Sequence, residues 1–114
     1  MIDYSKEIRS ALNTILPTHH ELTLTHGTKT PCISYMEVTN VAEESGDTIE
    51  YSRLSFQIKV WGTDLAVINK AAGDVDKQMR SLGFIRTGGG ELYDRNSSMI
   101  QKILTYEAKA KENI

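Results

Sequence analysis

Three histidines, a single cysteine, a run of glycines and a pair of adjacent glutamates are the residues of this chain whose types are capable of chemistry. His19, His20 and His26 lie close together in sequence, and imidazole is a common metal ligand. Neighbouring histidines usually point in different directions, however, and no second group of Cys, His or Asp has metal-like spacing. The segment therefore reads as a solvated loop following the helix-ending Pro17. Gly88-Gly89-Gly90 invites comparison with a phosphate loop. Such a loop needs a lysine and a hydroxyl residue after its glycines, at a helix start where backbone N–H donors converge on the anion. Here the glycines are followed by Glu91-Leu92-Tyr93-Asp94, so a mobile loop between strands is the expectation. Cys32 would need a histidine base to act as a nucleophile, and a free cysteine is more often a small buried hydrophobe. Glu43-Glu44 fall in a turn-like segment, away from the pocket that acid–base catalysis requires. Tyr35, Tyr51, Trp61, Tyr93 and Tyr106 have faces on which bases can stack. Glu50 sits beside Tyr51, though, and Glu91 and Asp94 flank Tyr93, which favours core or subunit packing. No catalytic motif is present, and neither a metal nor a cofactor is expected.

The elements that must position these residues are legible from periodicity. Tyr4, Ile8, Ala11, Leu12 and Ile15 predict a helix from about Tyr4 to Leu16, capped by Asp3 or Ser5 and ended by Pro17. Leu22 and Leu24 permit a short edge strand between Thr18 and Gly27. Cys32 to Ala42 and Thr48 to Trp61 read as two long strands joined through the acidic turn Glu43 to Asp47. In the second strand Leu54, Phe56, Ile58 and Val60 take one face, while Arg53, Ser55, Gln57 and Lys59 take the other. Asp64 caps a second helix from Leu65 to about Leu82, with Gly83 as its stop. Gly73 inside that helix suggests close approach of another backbone. Phe84-Ile85-Arg86 predicts a short strand and Ser97 to Lys109 a final one, with Lys109 to Asn113 as a charged, solvated end. The order predicts an α+β fold, an antiparallel sheet of three to five strands with a long hairpin and two helices packed on one face.

With 114 residues the chain is sized for one domain, which buries roughly two thirds of its unfolded surface. A lone cysteine excludes an internal disulfide. The formal net charge of −2 provides no broad basic field for nucleic acid phosphates. Neither a secretory signal nor an apolar run long enough for a membrane span is evident, which points to a cytoplasmic protein. A sheet with one polar face has that face left for water or a neighbour, so Arg53, Gln57 and Lys59 are candidate subunit contacts. Glu43, Glu44 and Asp47 at the hairpin tip, and Tyr93 and Asp94 in the Gly88 to Asn96 loop, are candidates to become ordered on joining partners.

The order and spacing of these segments resemble a known group. Thr30-Pro31-Cys32-Ile33-Ser34-Tyr35 after a short N-terminal helix is similar to that group's proline followed by an apolar and aromatic strand. Leu54-Ser55-Phe56-Gln57-Ile58-Lys59-Val60-Trp61 resembles its strand ending in a Val-Trp-like pair. Leu82-Gly83-Phe84-Ile85-Arg86, with Gln101-Lys102-Ile103-Leu104-Thr105-Tyr106-Glu107, is similar to its Leu-Gly-Phe turn and closing strand. The group is that of the small tail-completion proteins of tailed phages and prophages, the tail terminator and head-to-tail joining proteins. The resemblance implies a subunit of a ring, usually hexameric, in the virion tail, assembled in the bacterial host cytoplasm. Its partners would be other copies of itself, the tail tube protein and a head-completion or connector protein, with DNA passing through without specific binding. Two rivals stand beside it. One is a small α+β ligand-binding or regulatory module, with its ligand between sheet and helices. The other is an enzyme, which would require contact between Cys32 and a histidine.

Overall fold

The computed structural model describes residues 2–25, 27–45 and 48–111; His26 and Asp47, two of the candidates above, lie outside the described residues. Alternation in the third strand organises everything else. Leu54, Phe56, Ile58 and Val60 of β3 (Thr48–Gly62) are completely buried, because a strand presents every second side chain to the same side. β3 pairs antiparallel with β2 (Cys32–Ser45) on one side and with β5 (Met99–Lys111) on the other. β4 (Ile85–Asp94) adds to β5, also antiparallel. The fifth strand, β1 (Thr18–His20), pairs with β2 in parallel, so the sheet is mixed, in the order β1-β2-β3-β5-β4. A wholly antiparallel sheet is thus corrected at one edge. There Asn13 Oδ1 accepts the Thr18 N–H at 3.1 Å and Pro17 O accepts the Ile33 N–H at 2.9 Å, which bring the chain in beside β2 running the same way.

Both helices lie on one face of the sheet, as the apolar stripes require. α1 (Ser5–Leu12) buries Ile8 and Leu12, four apart and hence on one side of the helix. It stops a turn short of the predicted Leu16. The Thr14 hydroxyl donates to Ala11 O at 2.6 Å and the Asn13 amide is engaged with Thr18, a local competition that unwinds helix ends. α2 (Leu65–Ser81) buries Ile68, Ala71, Ala72, Val75 and Met79. Asp64 caps it by accepting the Ala66 N–H at 3.0 Å. Gly83, at φ +93°, closes it in a Schellman arrangement, Phe84 N–H donating to Met79 O at 2.9 Å. That closure delivers Phe84 into the core, edge-on to both Tyr4 and Phe56 at centroid distances of 5.5 and 5.7 Å. Each such pair adds about 0.5–1.5 kcal/mol beyond burial.

Three further expectations are corrected. The short edge strand between Thr18 and Gly27 is present, but at Thr18–His20 and not through Leu22 and Leu24. A single 3-10 turn spans Glu21–Thr23, and Leu22 is left exposed. Gly88-Gly89-Gly90 is no loop but the middle of β4, and the turn lies after Asp94. Gly89 explains why: a Cβ there would stand 2.7 Å from Ile103 O, so β4 runs too close to β5 for a side chain. The final strand includes Lys109 as predicted and runs on, so that Ala110 and Lys111 belong to β5 rather than to a solvated end. The molecule measures 52 × 25 × 22 Å, and the β2–β3 hairpin supplies most of that length.

Candidate subunit-interaction surface

Residues directly opposite one another on paired strands share a face, so the register assembles the side of the sheet away from the helices row by row. Its rows are Thr39, Ser55 and Glu107; Met36, Gln57 and Thr105; Ser34, Lys59 and Ile103; Cys32, Trp61 and Gln101. The predicted Arg53, Gln57 and Lys59 all belong to this face, as alternation requires. It is a hydrogen-bonded surface in its own right. Thr39 Oγ1 donates to Ser55 Oγ at 2.9 Å, and the Trp61 indole donates to Ser34 Oγ at 2.8 Å.

At the hairpin end this face carries a charge cluster. Glu43 accepts from Arg53 at 2.6 Å through one carboxylate oxygen and from Lys109 at 2.7 Å through the other. The Lys109 ammonium also lies 4.8 Å from the centroid of the Tyr51 ring. The Lys109 hydrogen bond, helped by the charges of Lys109 and Arg53, lowers the Glu43 carboxyl below its ordinary value despite some desolvation. Glu44 is exposed just past a register shift in the same arm. Glu43 thus joins β2 to both β3 and β5, while Arg53 keeps 61% of its side chain exposed.

Lys59 is placed differently from its neighbours. Its ammonium meets Glu21 at 2.7 Å with both side chains largely buried, and it sits 5.6 Å from the Trp61 ring centroid. It pins the 3-10 turn against the sheet, and the open part of the face is centred instead on Gln57. Glu21 and Lys109 are the contributors that sequence reasoning missed. For Lys109 a signal existed, because it ends the predicted final strand, and the register puts it opposite Arg53. For Glu21 there was none.

Tyr93 and Asp94 do not join this cluster. Both are exposed on β4, Tyr93 opposite Ile100 toward the helix side and Asp94 opposite Met99. Asp94 lines a cleft of about 480 Å³ with Thr25, Thr28, Cys32, Trp61 and Gln101. Burial pushes the Cys32 thiol up, away from the thiolate a nucleophile needs. His20 spends Nδ1 on the Leu22 N–H at 3.1 Å and stands edge-on to Tyr35; among the described residues no histidine is hydrogen-bonded to Cys32. A second groove, of about 540 Å³, runs between α2 and the β4–β5 pair. Its Asp76 accepts from the Tyr106 hydroxyl at 3.0 Å and pairs with Arg80 at 3.2 Å and, more distantly, Arg86 at 3.9 Å. Gly73 opens into this groove with no atom within 4 Å of where its Cβ would be, so no backbone packs on it as anticipated. Among the described residues no cluster of three metal-ligating side chains occurs, and no helix is long and apolar enough to cross a membrane.

No family model matches this chain, and no curated protein matches it in sequence.

Proposed function

We propose that the protein is a structural subunit that acts by contact with other copies of itself and with neighbouring proteins, as a ring-forming tail-completion protein of a phage or prophage. In this reading it caps the tail tube and joins it to the head-completion or connector protein, and DNA passes the ring without specific binding. The observation that carries the subunit reading is the two-sided sheet: helices cover one face, while the face around Gln57 is largely polar and has no helix on it. The phage assignment is supported by the order and spacing of segments described above. A polymerisation assay tests both parts. Added to assembling tail tube protein, the wild type should shorten the tubes and appear by electron microscopy as a ring at one end. Gln57→Arg should keep the melting temperature and lose the ring. Tubes of unchanged length with wild-type protein would reject tail completion, and a fully active Gln57→Arg would reject this face.

The cleft beside Trp61 favours a second reading, a small ligand-binding module, because hydroxyl, amide, carboxylate and aromatic groups converge there. Trp61 is the only tryptophan, so its emission reports on that cleft alone. Emission unmoved by a panel of polar metabolites would discard the module.

A further inference from the structure

β4 is the last strand of the sheet, and every one of its residues is exposed. An edge of this kind offers a row of backbone donors and acceptors to another strand. We propose that two copies of the protein pair through β4, antiparallel about a two-fold axis at Gly89, to make one continuous ten-stranded sheet (5 strands from each copy).

The choice of a second copy as occupant rests on self-complementarity along the strand. Antiparallel self-pairing places opposite residues on the same face, and the intrachain register fixes which face each side chain takes, including the irregularity between Arg86 and Gly88. With Gly89 on the axis, Gly88 faces the partner's Gly90 on the outer side. Arg86 then faces the partner's Glu91 on the helix side, and Ile85 faces the partner's Leu92 on the outer side. Ile85 and Leu92 are otherwise exposed apolar residues, at 73% and 56%. Arg86 keeps half of its side chain in solvent and only a 3.9 Å contact to Asp76, so its guanidinium has donors to spare, while Glu91 gives Oε1 to Lys102 of its own chain at 2.9 Å and keeps Oε2 for the partner's Arg86. Glycines at the centre let the two backbones meet without side-chain collision. Gly90 in particular has no neighbour within 4 Å of its Cβ position, so packing within the chain does not require a glycine there.

The opposite edge of the sheet is the alternative strand within the same molecule, and its charges argue against it. Beyond β1 that edge is the stretch of β2 carrying Glu37, Glu43 and Glu44, which would set acid against Glu91 and Asp94 of β4. This pairing uses a surface separate from the one around Gln57, so the dimer stands or falls independently of the ring.

Sedimentation equilibrium of the full chain tests the proposal. Wild type should run as a dimer, and Leu92→Lys should raise the dissociation constant about tenfold or more while leaving the circular dichroism spectrum unchanged. Arg86→Glu and Glu91→Arg should each weaken the dimer, and the double exchange should restore it, because the pair is remade with its charges reversed. A wild-type monomer throughout the accessible concentration range would overturn the proposal. So would a dimer indifferent to Leu92→Lys, which would place the contact elsewhere, or a double exchange no tighter than the weaker single variant.

Discussion

Tyr106 shows how one residue ties three elements together. Its ring is completely buried beside Phe56 on β3, while its hydroxyl reaches Asp76 on α2, which in turn pairs with Arg80. Burial, then the hydrogen bond to Asp76, raises the phenol far above its ordinary value of 10.0. The sign follows: a raised value in the folded state means that this bond contributes fully below the unfolded value and is lost only as pH climbs through the raised one. Subtracting the ultraviolet pH titration of Tyr106→Phe from that of the wild type should therefore show no phenolate from this residue near pH 10. The same variant keeps the ring and deletes the bond, so denaturant unfolding should find it less stable by about 1–2 kcal/mol. Equal stabilities would mean the hydrogen bond contributes nothing net. A buried tyrosine was readable from its place in a strand of alternating apolar residues. Its acid was not, since Asp76 sits on the helix among other charges and nothing in the sequence singles it out.

Elements were legible in proportion to how much side-chain pattern they carry. β2, β3 and α2 announce themselves by alternation, by a three-four stripe and by Asp64 and Gly83 at the helix ends, and the structure places them within a few residues of expectation. β4 was half missed because Gly88-Gly89-Gly90 has no side chains with which to show a period. The reason for its glycines is the close passage of β5, a tertiary fact. α1 and β1 deviate for another local reason, the Asn13, Thr14 and Pro17 hydrogen bonds, which trade a last helical turn for a parallel strand. The glycines make a paired prediction. Gly73→Ala fills open space in a helix and should stabilise by about 0.5–1 kcal/mol. Gly89→Ala drives a methyl group into the Ile103 carbonyl oxygen and should destabilise by roughly 1–3 kcal/mol. Thermal melts of the two variants should move in opposite directions. Matching shifts would mean that β4 passes β5 at ordinary distance.

At the scale of the whole molecule, the elongated shape comes from a hairpin arm that runs past the helices and has β5 as its third strand. An arm of this kind cannot draw on a second layer at its end, so its order depends on pairing within the sheet and on what bridges the strands. Glu43 is that bridge: it joins β2 to Arg53 on β3 and to Lys109 on β5. Because the bonds to Lys109 and Arg53 lower the Glu43 carboxyl, the cross-link is intact above the ordinary carboxylate value of 4.5 and is lost as pH falls through the lowered one. Hydrogen exchange, corrected for its intrinsic pH dependence, should show the amides of Val41 to Glu43 and Tyr51 to Arg53 losing protection in that acid window while those of α2 keep theirs. Glu43→Gln should show the weaker protection already at neutral pH. Because the cluster is exposed, molar salt should erode protection at neutral pH too. An arm equally protected at every pH and salt concentration would mean that backbone pairing alone holds it. The polar face would then present a rigid blade to its neighbours, and not one whose reach is set by a single carboxylate.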